Sequence, residues 1–175
     1  VSVERSVPGY HPDKKVHLIP VTPVSLVNSI QRSTARWPLN LNTGRLRDQW
    51  HTMTRTGLAP RLARHSRFFS VAVNRGTADR FGLVEGGLAR VENGHGTVHA
   101  IVAIDNGLAD DALFLPIHWS DVFASDSRVS ALIPPLTDPV SGQPQSKFAK
   151  VAATPLAVKN WALLVSHDEL SQTPV

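Results

Sequence analysis

The chain has 175 residues, enough for one domain with a real core, since about 150 residues bury roughly 68–70% of their unfolded surface. Hydrophobic residues make up 42% and charged residues 18%, with 13 Pro and 11 Gly and a mean hydropathy of −0.09. That composition is a loop-rich soluble globule rather than a disordered tail, and no apolar stretch approaches the ~18 residues of a membrane span. Cys is absent, which removes disulfides, thiolate chemistry and cysteine-held clusters from this chain. The first residue is Val and no charged-then-apolar leader follows, so the sequence reads as a processed or excised piece of something longer.

The net charge of +4 is unevenly spread. Between Gln31 and Arg67 stand Arg32, Arg36, Arg45, Arg47, Arg55, Arg61, Arg64 and Arg67 against the single acid Asp48, a local +7 that leaves −3 for the rest. All are Arg, whose planar fork suits phosphate and carboxylate oxygens better than a Lys point charge.

In chain order, Val1 to Pro23 reads as an extended lead-in broken by Pro8, Pro20 and Pro23, and Val24 to Arg32 as a short helix. Trp37 to Asn42 alternates apolar and polar residues, the pattern of a half-buried strand, with Thr43-Gly44 as its closing turn. Phe68 to Val73 is a β-rich run. Thr77 to Leu83 has the content of two helical turns, followed by a Gly86-Gly87 turn. Leu88 to Glu92 and Thr97 to Ile104 are strands joined by Asn93-Gly94-His95-Gly96, a strong hairpin signal. Ala112 to Pro116 is a further strand, Val129 to Ile133 is ambiguous, Asp138 to Gln145 is turn-rich, and Phe148 to Ala153 and Ala157 to Val165 read as closing strands. The sum is a closed or nearly closed β-barrel with helical inserts, divided as a lead-in (1–33), a barrel (34–165) and a tail (166–175).

Generic catalytic motifs fail. Gly94 to His99 begins like a dinucleotide loop but sits in a hairpin with no following helix. His95 and His99, four apart on a strand, lie about 13 Å from one another and read as surface histidines. His118, Ser120 and Asp121 are neighbours in sequence, which does not promise triad geometry.

The segment Leu41 to Gly57, LNTGRLRDQWHTMTRTG, is different. A strand running into Thr43-Gly44 offers main-chain N–H groups and a close-approach glycine. Arg45, Trp50, His51, Thr52, Thr54 and Thr56 then supply charge, an aromatic face, an imidazole and hydroxyls, a cradle for phosphate and a flat heterocycle. The alternative is a solvated basic loop followed by a Thr-rich strand.

These residues resemble a known family. The TGR run and the Trp-His-Thr that follows, Thr43 to Thr52, look like the segment with which the C-terminal domain of molybdopterin oxidoreductases holds a molybdopterin guanine dinucleotide. Ala78 to Glu92 resembles the family's helix, Gly turn and strand, and His95 to Val98 its return strand. Leu115-Pro116-Ile117-His118-Trp119, Arg128 to Leu132 and Asp138 to Pro144 are most similar to the bacterial cytoplasmic assimilatory nitrate reductases. The resemblance spans roughly residues 36–165.

It implies a mainly β fold, the double-psi β-barrel of aspartate-decarboxylase type, at the end of a larger catalytic chain that reduces nitrate to nitrite. It further implies a bis-dinucleotide cofactor carrying molybdenum, a 4Fe-4S cluster only in an absent N-terminal part, and a cytoplasmic enzyme. Its partners would be the remaining domains and an electron donor, with no nucleic acid and no membrane. By motif matching, Thr43, Gly44, Arg45, Gln49, Trp50, His51, Thr52, Ser130 and Lys147 contact the cofactor. Ser130 stands where the family carries Asn, one short hydroxyl in place of an amide's donor and acceptor. Arg75 and Gly87 replace the family's frequent Pro and Asp. His118 is a candidate for the substrate funnel; the competing reading is a structural pair, with Trp119 buried and His118 bonded to a backbone carbonyl. The resemblance implies no catalytic residue in this chain and no metal ligand. Two other functions compete: the same barrel in another molybdopterin enzyme such as a formate dehydrogenase, and a basic barrel binding nucleic acid, for which 6% aromatics is a thin stacking supply.

Overall fold

The computed structural model describes residues 12–18, 20, 33–139, 141–158, 160–162, 164 and 166. The chain divides into two compact units, Val1–Ile30 and Gln31–Val175. In the first, the described part of the lead-in contains no helix or strand, and Asp13 accepts a hydrogen bond from the Lys15 amide at 2.9 Å. The helix expected at Val24 to Arg32 lies outside the described residues. All that follows concerns the second unit.

Its strands are β1 (Leu39–Gly44), β2 (Ser70–Val73), β3 (Leu88–Glu92), β4 (Thr97–Ile104), β5 (Ala112–Pro116) and β6 (Ala149–Pro155). They close into a barrel in the order β1-β5-β2-β4-β3-β6. Two pairings are parallel, β1 with β5 and β2 with β4; the other four are antiparallel. This is the double-psi arrangement. Closure leaves no strand edge exposed to other chains.

Alternation along each strand decides what fills the barrel. Leu39 and Leu41 of β1 and Leu113 and Leu115 of β5 are fully buried. They face Ala89, Val91, Val98, Ala100, Ala149, Val151 and Ala153, all at most 2% exposed. Large side chains on the β1/β5 wall are thus matched by small ones on the β3/β4/β6 wall, as a narrow interior requires.

The helix expected at Thr77 to Leu83 begins two residues earlier, as Arg75–Phe81. Asn74 is the reason: its Oδ1 accepts from the Thr77 amide at 2.8 Å, an N-cap that satisfies an otherwise orphaned donor. At the other end Gly82 adopts φ 67°, the left-handed stop that glycine tolerates best. Asn74 also donates to Leu108 O at 3.2 Å, and Arg75 N donates to Asn106 Oδ1 at 3.0 Å. The helix therefore lies against the β4–β5 connection at one end of the barrel.

The hairpin strands and the Ala112–Pro116 strand form as read. β1 runs through Thr43-Gly44 rather than turning there, because parallel pairing with β5 continues to Gly44 opposite Pro116. The ambiguous Val129 to Ile133 segment is a 3-10 helix, Val129–Leu132. Two short helical pieces not anticipated in the sequence, Thr56–Leu58 and Pro60–Ala63, replace the alternative of a Thr-rich strand. The closing strand expected at Ala157 to Val165 is not formed among the described residues. β6 already occupies the last place between β3 and β1, and Trp161 instead donates to Gly86 O at 3.2 Å with its ring edge-on to Phe68 at 6.2 Å.

Replacing Leu113 with Ala removes a fully buried side chain from the wide wall of the barrel and is expected to cost about 2–5 kcal/mol in urea denaturation. Val84→Ala, at a residue 69% exposed, is expected to stay within about 0.5 kcal/mol of the parent.

Candidate functional site at one end of the barrel

The strand directions gather the chemistry-bearing segments. Because β1 and β5 are parallel, their C-terminal ends lie side by side; because β6 runs antiparallel to β1, its N-terminal end joins them. The same registers bring the β3–β4 hairpin to this end. The loops after Gly44 and Pro116, the approach to Ala149 and the 3-10 helix carrying Ser130 therefore share one mouth, opposite the end covered by the Arg75–Phe81 helix.

Thr43 and Lys147 meet directly. The Lys147 ammonium donates to Thr43 O, and Thr43 Oγ1 donates to Ser146 O at 2.8 Å. An ammonium has three donors, so one bond to the main chain fixes Lys147 while leaving it donors for an anion. Gly44 has no side chain where the Phe114 ring lies: a Cβ there would stand 2.7 Å from Phe114 Cε2. The ring thus covers the strand end.

Beyond Gly44, Arg45 places its guanidinium over the Trp50 ring, 5.8 Å from the centroid, and the Trp50 and His51 rings meet edge to face at 4.6 Å. Trp50 is 62% exposed, so its indole is open to solvent beside the Arg45 guanidinium. Thr52 is exposed and its hydroxyl lies 3.2 Å from that of Thr54.

Thr43 and Gln49 sit differently from the direct contacts that motif matching implies. Both are buried and engaged inside the protein. Gln49 Oε1 accepts from Thr56 Oγ1 at 2.7 Å and its Nε2 donates to Leu62 O at 3.4 Å, while Thr56 Oγ1 accepts from Trp50 N at 3.2 Å. They support the loop that presents Arg45 and Trp50.

His118 requires a correction. It is not aimed at a funnel: none of its surface is exposed, and its ring nitrogens face Leu46 N at 2.8 Å and His51 O at 2.6 Å. With Trp119 6% exposed and tilted against Phe69 at 5.8 Å, the fold builds the structural pair. The imidazole is instead enclosed with main-chain partners on both ring nitrogens.

Ser130 is exposed on the 3-10 helix, which is tied to the hairpin and β6 by Asn93. That side chain donates to Leu132 O at 2.7 Å and Lys150 O at 3.2 Å. Ser130 thus shares the mouth without joining the Thr43–Lys147 cluster. Lys150 itself donates to Ser33 Oγ at 3.0 Å and to Asn40 Oδ1, and burial pushes its ammonium below the ordinary lysine value.

A cluster not anticipated in the sequence rims an open cavity of about 320 Å³ lined by Leu46, Arg47, Asp48, Gln49, Leu62 and His65. Arg47 forks onto Asp48, Nε to Oδ1 and Nη2 to Oδ2, both at 2.9 Å, and His65 closes on the same carboxylate. Asp48 is thereby spent locally. Arg45, Arg55, Arg61, Arg64 and Arg67, all exposed, face no carboxylate within ion-pair range among the described residues. Free guanidiniums, a lysine with donors to spare, hydroxyls and an exposed indole are the donor set for a pyrophosphate joined to flat rings. The residues present fit such a dinucleotide.

The hydrogen bond from Arg47, more than its charge, holds the Asp48 carboxyl below its ordinary value, and the nearby His65 charge pulls the same way. A depressed carboxylate pKa contributes stability that is present above the unfolded value of about 3.9 and disappears as pH falls through the lower folded value. Asp48→Asn is expected to flatten the acid limb of a melting-temperature profile below pH ~4 while moving the neutral-pH midpoint by only about 1–2 °C, the pair being solvent-screened. An unchanged acid limb would show that the pair contributes nothing.

A family model, the molydopterin dinucleotide binding domain, matches residues 39–150, from the first residue of β1 to Lys150 in β6. The chain is 42% identical over 167 residues to a nitrate reductase of Klebsiella oxytoca, covering 95% of this chain and 18% of that protein. It is 29% identical over 147 residues to the assimilatory nitrate reductase catalytic subunit of Bacillus subtilis strain 168, covering 83% of this chain and 20% of that protein. The chain therefore spans about a fifth of these relatives' length. Among solved structures, the acetylene hydratase from Pelobacter acetylenicus superposes with a TM-score of 0.58 at 16% identity, over 74% of this chain and 19% of that one, a likeness of fold. By the extent of the family match, this chain belongs to the molydopterin dinucleotide binding domain family.

Proposed function

We propose that the chain is the C-terminal cofactor-binding domain of a molybdenum-dependent nitrate reductase, that it holds one molybdopterin guanine dinucleotide, and that it caps the site where nitrate becomes nitrite. The observation that carries this reading is the convergence of Lys147 on Thr43 at the end of β1, beside an Arg45–Trp50 face that meets no carboxylate among the described residues. The nitrate reductase likeness over 95% of the chain supports the choice of reaction.

When bound, the cofactor supplies the two-electron chemistry of nitrate reduction. The chain's own part is binding. Arg45 and Lys147 neutralise pyrophosphate oxygens, the Thr52 hydroxyl donates to them, and Trp50 with His51 offers ring faces to a heterocycle. Ser130 contributes one hydroxyl at the same mouth. With no Cys, the chain holds no thiolate for a cluster or for molybdenum, so the 4Fe-4S cluster and the second dinucleotide belong with other domains of a longer polypeptide, and the isolated domain is inactive. We place that enzyme in the cytoplasm, served by a separate electron donor. Among the described residues no helix is long and apolar enough to cross a membrane.

In the enzyme-length polypeptide, Arg45→Ala and Lys147→Ala are each expected to lower the guanine nucleotide released by acid hydrolysis by about tenfold, as lost charge-assisted hydrogen bonds would. Nitrate reduction should fall in proportion. Wild-type polypeptide that releases no guanine nucleotide, or variants that retain all of it, would sink the proposal.

A further inference from the structure

We infer that His118 is a positioning residue: as the neutral tautomer protonated at Nδ1, it locks the loop from Gly44 to Thr52 in the shape that receives the dinucleotide. The inference rests on the cofactor reading above and assigns a role to a side chain that does not itself touch the ligand.

The tautomer is dictated by its partners. Leu46 N–H can only donate, so Nε2, 2.8 Å away, presents its lone pair. The carbonyl of His51 can only accept, so Nδ1, 2.6 Å away, carries the proton. A buried ring facing one main-chain donor and one main-chain acceptor has a single satisfactory state. Its two partners bracket the arm of the loop that carries Trp50, with Arg45 immediately before it.

That arm needs holding. His51 and Met53 adopt φ of 42° and 60°, conformations that side-chain-bearing residues take at a cost and keep only where their surroundings fix them. Met53 is fixed by burial at 4% exposure and by its amide's bond to Trp50 O at 2.9 Å. His51 has the imidazole of His118 on its carbonyl. The ring is itself immobilised from both sides in sequence: Ile117 N donates to Gly44 O at 3.0 Å, and Trp119 packs on Phe69 at 5.8 Å. The clamp thus transmits the rigidity of the β1/β5 wall to a loop that has no strand partner. A loop ordered in advance loses less entropy when the ligand arrives.

The test uses enzyme-length polypeptide in three forms: wild type, His118→Leu, which fills the volume without polar atoms, and His118→Gln, which keeps a donor and an acceptor. Bound dinucleotide is assayed as guanine nucleotide released by acid, and hydrogen exchange by mass spectrometry follows peptides covering residues 44–53 and the barrel strands. His118→Leu is expected to lose about tenfold in nucleotide content, with Gln recovering most of it. Exchange should accelerate in residues 44–53 while Val71–Val73 and Val98–Val102 remain protected. Wild-type nucleotide content in the Leu variant, or exchange that accelerates equally throughout the barrel, overturns the positioning role. Should the Leu variant fail to fold, a Gln variant with unaltered exchange at 44–53 and reduced nucleotide content also overturns it. Absence of nucleotide from the wild type would instead overturn the cofactor reading, and the exchange comparison would still decide whether His118 holds the loop.

Discussion

The parallel pairing of β1 with β5 is the constraint on which the rest of this structure depends. With Gly44 opposite Pro116, both strands end at the same level, and two loops 72 residues apart at Leu46 and His118 become neighbours. An antiparallel pairing would send the arginine-rich loop and the Ile117-His118-Trp119 segment to opposite ends of the barrel. The strand pair also supplies the four leucines that fill the interior, so one wall provides much of the core and the platform for the site.

Charge follows from that placement. The local excess of arginine falls after the end of β1, where strands stop competing for backbone donors and where the opposite end is already covered by a capped helix. Asp48, the one acid of the segment, is taken by Arg47 and His65. Arg45, Arg55, Arg61, Arg64 and Arg67 meet no carboxylate among the described residues. The loop geometry carries a similar imbalance. Positive φ at His51 and Met53 is a local cost offset by a buried imidazole and a buried methionine, the usual placement of strain at a binding surface.

Most of the barrel was legible. Local pattern identified all six strands to within two residues at each end, Phe148 to Ala153 appearing as β6. The Asn93-to-Gly96 hairpin and the Ala112–Pro116 strand appear at the positions read from local pattern. The misses have definite causes. Thr43-Gly44 looks like a turn because glycine is weak in strands, but the ladder to β5 overrides that preference. Ala157 to Val165 has strand-like composition, yet β6 already closes the barrel. The helical pieces between Thr56 and Ala63 carry no side-chain cap, so nothing local announced them. The family resemblance singled out the Thr43-to-Thr52 segment and Lys147 separately, and their mutual contact follows only from the β1–β6 register.

By itself the sequence determined that this chain is a β-rich, cysteine-free domain with its arginines concentrated between Gln31 and Arg67, because alternation and charge clustering are local properties. Only the tertiary structure decided what His118 and Gln49 do. Their residue types suit ligand contact as well as burial, and the choice depends on whether main-chain and hydroxyl partners from segments distant in sequence arrive to satisfy them. Leu46, His51, Thr56 and Leu62 provide those partners. A buried polar group so satisfied is worth more to the fold as a brace than it would be turned outward to a ligand.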